Sequence, residues 1–328
     1  MALDGMSHGM GSCSQAAFDN HWLCVREQLD EAFDRRLPQF FEDLPATHRA
    51  ALRDVLNGGK RLRGCLVSLL NEALGGAPAA AIPRAMAIEC VQAASLIHDD
   101  FIDGDTLRRD RPATWTVLGP RRAVLLGDVI FATALRRMAE LGREDGLVLA
   151  KAIATMAAGA YQEPLAFSEL TQDAGLGAAR LYPRLIYLKT GVLFGAAAQL
   201  GALAAAVSAP LAARAFEYGV WIGEAYQIAD DVHDWLEAPP NAAQCPLLAP
   251  ALWHFCADAE PAGGRFGLPT PEHAERLRPV LRERMTAAAE HRLQQAIAAV
   301  DFFPSCPHAG LLRAAPHAIV RAISAGAP

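Results

Sequence analysis

Lysine is nearly absent from this chain. Only Lys60, Lys151 and Lys189 occur among its 30 basic residues, so the other 27 are arginines. With 36 acidic residues the formal net charge is −6, whereas a nucleic-acid-binding protein needs a basic face. We therefore expect no nucleic-acid partner, and the positions of the three lysines become informative.

The sequence also lacks the marks of secretion, structural zinc and membrane insertion. Its seven cysteines are an odd number without CxxC or Cys/His ligand spacing, which is typical of reduced thiols in a cytoplasmic protein. Residues 1–17 have neither a basic leader nor an apolar segment, so we expect them to be disordered. Residues 191–213 carry no charge. Because they are mostly Ala and Gly and include Pro210, we predict that they belong to closely packed core helices and not to a transmembrane segment.

Strand-like runs and aromatic residues are scarce as well. Aromatics make up 7% of a chain that is 52% hydrophobic and dominated by Ala and Leu, and this pattern favours helices throughout. No low-complexity linker divides the chain, so we predict one all-α domain, a helical bundle over residues 18–328. The predicted helices are 18–37, 46–57, 61–73, 82–100, 123–141, 147–168, 178–206, 211–236, 245–257, 271–300 and 308–323.

Two copies of one acidic pattern end apolar, helix-like segments: DDFID at residues 99–103 and DDVHD at residues 230–234. On a helix, the first and last aspartates of each copy lie one turn apart on the same face. Such a face cannot pack into apolar core, so it must bind cations or line a wet cavity. One isolated copy is equally consistent with a solvated helix end. Two copies favour a magnesium–diphosphate site, because magnesium is held by carboxylate and phosphate oxygens.

Three basic groups accompany the aspartates. Lys60 lies in the glycine turn GGKRLR (58–63), where free backbone amides, the helix dipole and cationic side chains suit a diphosphate. Lys189 lies in an otherwise apolar helix, where an unpaired ammonium is costly. Arg108 and Arg109 follow the first acidic pattern and are able to grip phosphate bidentately. The alternatives are an ordinary basic helix start, a surface lysine and simple charge pairing, respectively.

Taken in order along the chain, these motifs resemble the trans-isoprenyl diphosphate synthase family, the polyprenyl synthetases that make farnesyl, geranylgeranyl and longer prenyl diphosphates. The resemblance covers residues 18–325. It implies the all-α isoprenoid synthase fold with a central active-site cavity, a homodimer, and a Mg-dependent prenyltransferase that condenses isopentenyl diphosphate with an allylic diphosphate. The matching motifs are GGKRLR (58–63), ASLIHDDFID (94–103), RR (108–109), LLGD (125–128), KT (189–190) and GEAYQIADDVHD (223–234).

The resemblance also implies a role for individual residues. The metal ligands, expected to hold three Mg2+ ions with the allylic diphosphate, are Asp99, Asp100, Asp103, Asp230, Asp231 and Asp234. Isopentenyl diphosphate is assigned to Lys60, Arg63, Gln92 and Arg109. The reacting centre and the allylic diphosphate are assigned to Lys189, Arg108, Thr190 and Gln227. Small Ala94 and Ser95 before the first pattern imply a deep tail pocket, and a product of geranylgeranyl diphosphate or somewhat longer.

The chain departs from the family pattern after Asp234. The family continues into a loop with two lysines, whereas the loop here is shorter and no lysine follows Lys189. Gly64 replaces a family proline, and Glu163 with Pro164 stands where an acidic helix motif is usual. Besides a working synthase, two alternatives stay open: a terpene cyclase on the same fold, and a non-catalytic or regulatory subunit of a prenyl diphosphate synthase.

Overall fold

The computed structural model describes residues 12–42, 44, 46–56, 58–109, 111–163, 178–237, 248–259, 271–304 and 307–323. Over these residues the protein is a helical bundle with one very short β-ribbon, as the predicted all-α class requires. The helices are α1 (Ser12–Phe40), α2 (Ala46–Leu56), α3 (Leu62–Ala73), α4 (Pro78–Ile102), α5 (Thr114–Leu118), α6 (Pro120–Leu141), α7 (Arg143–Gln162), α8 (Ala178–Ile186), α9 (Val192–Ala204), α10 (Ala209–Glu237), α11 (Leu248–Cys256), α12 (Pro271–Ala299) and α13 (Ala309–Arg321), and the strands are β1 (Leu107–Arg108) and β2 (Arg111–Pro112).

Several helices begin earlier than predicted. α4 starts at Pro78 and α6 at Pro120, because proline at the first helical position lacks only an N–H that would be unpaired there. The predicted helices 82–100 and 123–141 began only after these prolines. α1 starts at Ser12, so the expected disorder of residues 1–17 is wrong for residues 12–17. Residues 1–11 lie outside the described residues, as does the predicted helix start at 245–247.

Prediction missed α5 and the β1–β2 ribbon between α4 and α6. The two strands pair antiparallel with Leu107 opposite Pro112 and Arg108 opposite Arg111, and Arg109 at their turn has φ 52°. Two-residue strands carry too few residues for an alternating pattern to reveal them. The ribbon turns Arg108 back towards Asp100 of α4, and it places Nη1 of Arg109 2.9 Å from the carbonyl of Gly58, to which it donates.

α8 continues through a π turn (Tyr187–Gly191) directly into α9. Two helical segments, residues 180–204 and α4, are long and apolar enough to span a membrane. Their most apolar stretches are 78% and 56% buried inside the protein, respectively, as is usual for core helices. The uncharged stretch 191–213 is not a single helix, because α9 ends at Ala204 and α10 begins at Ala209. Insertions of the π type occur frequently at functional sites, and this one carries Lys189 and Thr190.

α9 lies in the core, where it packs against α3, α4 and α10. Its contact with α10 requires glycine: a Cβ on Gly223 would lie 2.8 Å from Cβ of Phe194 and 2.9 Å from Cα of Gly191. The backbones of the two helices therefore approach closely at this point. One turn further along α10, this approach brings Gln227 beside Thr190.

Candidate active site

The first acidic pair, Asp99 and Asp103, lies at the C-terminal end of α4. Asp103 caps the helix, and its backbone N–H donates to the carbonyl of Asp99 over 2.8 Å. Burial raises the pKa of Asp99 to about 6, Lys189 opposes the rise, and the charge of Asp103 adds to it. Burial also raises the pKa of Asp103. The pair therefore favours a cation beside it.

Asp100 points elsewhere. It is only 3% exposed, and its Oδ1 accepts from Nε of Arg108 over 2.7 Å and from Nη2 of the same residue. Its carboxylate therefore holds an arginine in place. The structure gives Asp100 a different neighbour from the metal expected for it by resemblance.

The second acidic pair, Asp230 and Asp234, lies near the C-terminal end of α10. Burial raises the pKa of Asp230 to about 6, with a further contribution from Asp234, while Lys60 and Arg63 oppose the rise. Burial raises the pKa of Asp234 as well. Both acidic pairs thus hold carboxylates that are disfavoured as anions and that lie within electrostatic reach of cationic side chains.

Asp231 is buried and enclosed by protein donors. Its Oδ2 accepts from the hydroxyl of Tyr182 over 2.5 Å, and its Oδ1 accepts from Nε2 of Gln227 over 2.9 Å. Burial raises its pKa to about 7, although both hydrogen bonds oppose the rise. The other end of the Gln227 amide accepts from the hydroxyl of Thr190 over 2.6 Å. The predicted reacting-centre residues Thr190 and Gln227 are therefore in direct contact.

Lys189 connects the π turn to the first acidic pair. It forms an ion pair with Glu163, and this pair, together with Asp99 and Asp103, raises the pKa of Lys189 even though burial alone would lower it. Lys151, in contrast, lies exposed on α7. Lys189 is therefore not an ordinary surface lysine, because it is partly buried beside carboxylates.

The basic turn before α3 is held by its neighbours. Gly58 has φ 79° and Arg61 has φ 52°, and Nε1 of Trp22 donates to the carbonyl of Lys60 over 2.8 Å. Arg61 is structural: it is 4% exposed and its side chain pairs with Asp30 at 2.9 Å. These contacts leave Lys60 and Arg63 as the cations of the turn that lie within electrostatic reach of Asp230.

The side chains of Lys60 and Arg63 are both partly buried. The ammonium of Lys60 donates to the carbonyl of Ala322 at the end of α13, and burial lowers its pKa. The guanidinium of Arg63 stacks 4.3 Å above the ring of Phe194, and its Nε is buried without a hydrogen-bond partner. A buried cation with an unpaired N–H is suited to receive an anion.

The four residues predicted to hold isopentenyl diphosphate are only partly brought together. Gln92 and Arg109 line a cavity of about 520 Å³ between α2, α4, the ribbon and α5, whereas Lys60 and Arg63 do not line it. Arg109 still lies within electrostatic reach of Lys60 and of Tyr226 on α10. Arg109 therefore connects the two groups: it lines the cavity with Gln92 and is within electrostatic reach of Lys60.

The two residues predicted to set the tail pocket are in different surroundings. Ala94 is fully buried in the main core, while Ser95 is partly exposed and its hydroxyl donates to the carbonyl of Gln92 over 2.9 Å. No described contact tests the depth of a tail pocket. Of the two, Ser95 is the less buried.

The carboxylate donors fit magnesium when a substrate completes its shell. Among the described residues, no group of three or more His, Cys, Asp or Glu side chains lies close enough to hold a metal alone. Magnesium is usually bound by one or two carboxylates together with water and substrate phosphates, and each acidic pair supplies such a set. A divalent cation would also favour the ionised form of Asp99 and Asp230, which burial disfavours.

Comparison with known proteins decides the family. The sequence profile of the polyprenyl synthetase family matches residues 45–243, a range that contains both acidic pairs and all the basic side chains described above. The chain belongs to the polyprenyl synthetase family. This confirms the resemblance to trans-isoprenyl diphosphate synthases drawn from the motifs.

Individual family members are similar in sequence and in structure. The chain is 36% identical to heptaprenyl diphosphate synthase component 2 of Geobacillus stearothermophilus, over 64% of this chain and 62% of that protein. It is 38% identical to geranylfarnesyl diphosphate synthase of Aeropyrum pernix, over 56% of this chain and 59% of that protein. The match thus spans less than two thirds of these relatives. A polyprenyl synthase of Caulobacter crescentus CB15, solved with calcium and isoprenyl diphosphate, superposes with a TM-score of 0.72 at 25% identity, over 92% of this chain and 98% of that chain.

One departure from the family's sequence pattern has a physical explanation. The backbone N–H of Gly64 donates to Oε1 of Glu89 over 2.7 Å, and proline at position 64 would have no N–H to donate. Glu89 also lies 4.0 Å from Arg61, so it ties the basic turn to α4. Glu89 lies just before ASLIHDDFID (94–103) in the sequence, and its anchoring role was not evident from the sequence alone.

Sequence reasoning also missed Tyr182 and the partner of Lys189. Tyr182 precedes Lys189 by seven residues, two turns of a regular α-helix, but the π turn that carries Lys189 breaks this spacing. No local spacing in the sequence marks Tyr182 as a partner of Asp231. Glu163 was noted only as a departure from the polyprenyl synthetase pattern.

Proposed function

We propose that the protein condenses isopentenyl diphosphate with an allylic diphosphate in a Mg2+-dependent reaction. The observation that carries this proposal is the pair of acidic sites, each with partly buried carboxylates of raised pKa and with a cation, Lys189 or Lys60, in electrostatic reach. Bound Mg2+, three ions by family resemblance, would neutralise charge on the departing diphosphate. The acidic pairs Asp99/Asp103 and Asp230/Asp234 would hold these ions.

The cationic side chains have separate tasks in this scheme. Lys189 and Arg108 act on the first acidic pair and stabilise negative charge as the allylic C–O bond breaks. Lys60 and Arg63, which lie near Asp230, hold the diphosphate of the second substrate. Arg109 reaches electrostatically from the ribbon to Lys60, and Gln92 completes the set.

The reacting centre lies at the contact of the π turn with α10. Thr190 and Gln227 meet there over 2.6 Å, flanked by the apolar core helices α9 and α10. An allylic cation must meet the double bond of the second substrate before water does, so apolar surroundings are required. The departing diphosphate would take up the proton lost in the last step.

Chain elongation is the function that the relatives favour. Those named above are prenyl diphosphate synthases, and Lys60 and Arg63 would have no second diphosphate to hold in a cyclase. The regulatory-subunit alternative is kept, because one relative is named as a synthase component and the shortened loop at 238–247 lies outside the described residues. We also propose that the enzyme works in the cytoplasm as a homodimer and makes geranylgeranyl diphosphate or a somewhat longer product.

One incubation tests these proposals. Purified protein receives Mg2+, labelled isopentenyl diphosphate and a C5, C10 or C15 allylic diphosphate, and products are resolved by chain length. We expect elongated diphosphates, none in EDTA and none from Asp99→Ala. Hydrocarbons formed from an allylic substrate alone would indicate a cyclase, and turnover that requires an added synthase subunit would indicate the regulatory role.

A further inference from the structure

The sequence motifs give no role to Tyr182, yet its hydroxyl lies at one end of a continuous chain of hydrogen bonds. Tyr182 donates to Asp231 over 2.5 Å, Gln227 donates to Asp231 over 2.9 Å, and Thr190 donates to Gln227 over 2.6 Å. Tyr182 is 1% exposed and packs against Trp235 and Phe255. These contacts hold the ring in place and direct its hydroxyl towards Asp231.

The chain has a fixed polarity. Both oxygens of Asp231 act as acceptors, one from the hydroxyl of Tyr182 and the other from the NH2 of Gln227, so Asp231 faces the NH2 of Gln227 and not its carbonyl. The carbonyl of Gln227 is thereby turned towards Thr190, whose hydroxyl must donate to it. The lone pairs of the Thr190 oxygen then face away from Gln227. Without Asp231 in this position, the amide of Gln227 could flip and reverse the hydrogen bond to Thr190.

We propose that Tyr182 is a positioning residue of the prenyl-transfer site, which acts through Asp231 to fix the orientation of the Gln227 amide and the Thr190 hydroxyl. The proposal rests on the proposed function, because it concerns residues of the same reacting centre. It also replaces the role that family resemblance gave to Asp231. Both oxygens of Asp231 are engaged by protein donors, so Asp230 and Asp234 remain as the metal-binding residues of the second pattern.

Three variants separate positioning from metal binding. Tyr182→Phe removes one hydroxyl and keeps the packed ring. Asp231→Asn keeps the shape; when its oxygen continues to accept from Tyr182, its NH2 faces Gln227, whose amide must then flip to accept. Adding Gln227→Glu to Asp231→Asn restores the hydrogen bond to Thr190, because the new amide at position 231 then donates to a carboxylate that accepts from Thr190. Tyr161→Phe on the exposed surface of α7 is the matched control.

The first measurement is calorimetric binding of inorganic pyrophosphate with Mg2+, which needs no turnover. We expect Tyr182→Phe and Asp231→Asn to bind within about threefold of the wild type, because neither removes a metal ligand, whereas Asp230→Asn loses Mg2+-dependent binding. Loss of binding in Asp231→Asn as complete as in Asp230→Asn would overturn the proposal. The binding measurement tests the role of Asp231 even if the wild type shows no prenyl transfer. Absence of prenyl transfer would count only against the proposed function.

The second measurement is steady-state kinetics with circular dichroism as a folding check. We expect kcat to fall about tenfold in Tyr182→Phe and further in Asp231→Asn, with little change in KM, since one hydrogen bond to a charged group is worth about that factor. The double variant should recover part of the loss, and Tyr161→Phe should match the wild type. Unchanged kcat in Tyr182→Phe, or no recovery in the double variant, would contradict the positioning role.

Discussion

Arg108 holds the carboxylate of Asp100, eight residues earlier in the chain: its Nε donates to Oδ1 over 2.7 Å, and its Nη2 donates to the same oxygen. Asp100 is buried, while the arginine side chain is 38% exposed. The aspartate therefore aims a partly exposed guanidinium back at the end of α4. In this respect Asp100 resembles Asp231, the second aspartate of the other acidic pattern, which is also enclosed by protein donors.

Asp100→Asn should weaken binding of the allylic substrate without abolishing the metal site. Loss of the charge-assisted hydrogen bonds frees Arg108, and we expect KM for the allylic diphosphate to rise by about three- to tenfold. Mg2+-dependent binding of pyrophosphate, measured by calorimetry, should persist. Asp34→Asn, at an exposed position on α1, is the matched control. Complete loss of binding, as expected for Asp99→Ala, would instead make Asp100 a metal ligand.

Lys189→Gln should lower kcat by about 10- to 100-fold, because one charged contact to the departing diphosphate is lost. The removal of this cation should also raise the pKa of Asp99 and Asp103 further, since Lys189 lowers both. Lys151→Gln on the exposed face of α7 changes the net charge equally and should leave kcat unchanged. Equal kinetics for the two variants would remove Lys189 from the reaction.

Bulky substitutions at the two tail-pocket positions should differ in outcome. Ser95 is only partly buried, so the fold should tolerate Ser95→Phe, and we expect the longest product to be shorter. Ala94 is fully buried, so Ala94→Phe overpacks the core and should destabilise the protein by about 1–3 kcal/mol. Product analysis and thermal unfolding measure the two effects. Unchanged product length with Ser95→Phe would place the tail elsewhere.

The raised pKa of Asp99 predicts a pH-dependent effect on stability. A carboxyl group with pKa about 6 in the folded protein and an ordinary value when unfolded binds its proton more tightly in the folded state. It therefore stabilises the fold at pH 4, and this contribution is lost as the pH rises through 6. In EDTA, we expect Tm of Asp99→Asn relative to the wild type to be higher at pH 7.5 than at pH 4. An identical difference in Tm at both pH values would refute the shift.

The sequence was sufficient for the all-α fold, for most helix bodies and for the two acidic patterns, because apolar periodicity and the i, i+4 spacing of aspartates are local properties. The direction in which each aspartate side chain of the patterns points depends on contacts with distant parts of the chain. Asp100 and Asp231 differ from their neighbours only because the ribbon presents Arg108 and α8 presents Tyr182. The ribbon itself is too short to leave a periodic signal, and Tyr182 meets Asp231 only when α8 packs against α10.

The central claim is that the first and second acidic pairs hold metal ions around one shared diphosphate. A crystal structure of the protein with pyrophosphate and Mn2+, which takes the same oxygen ligands as Mg2+, tests it most directly through the anomalous signal of the metal. We expect ions bound by Asp99 and Asp103 and at least one bound by Asp230, all bridged by a single pyrophosphate that also contacts Lys189. Metal at only one pair, or pyrophosphate that contacts neither pair, would contradict the claim.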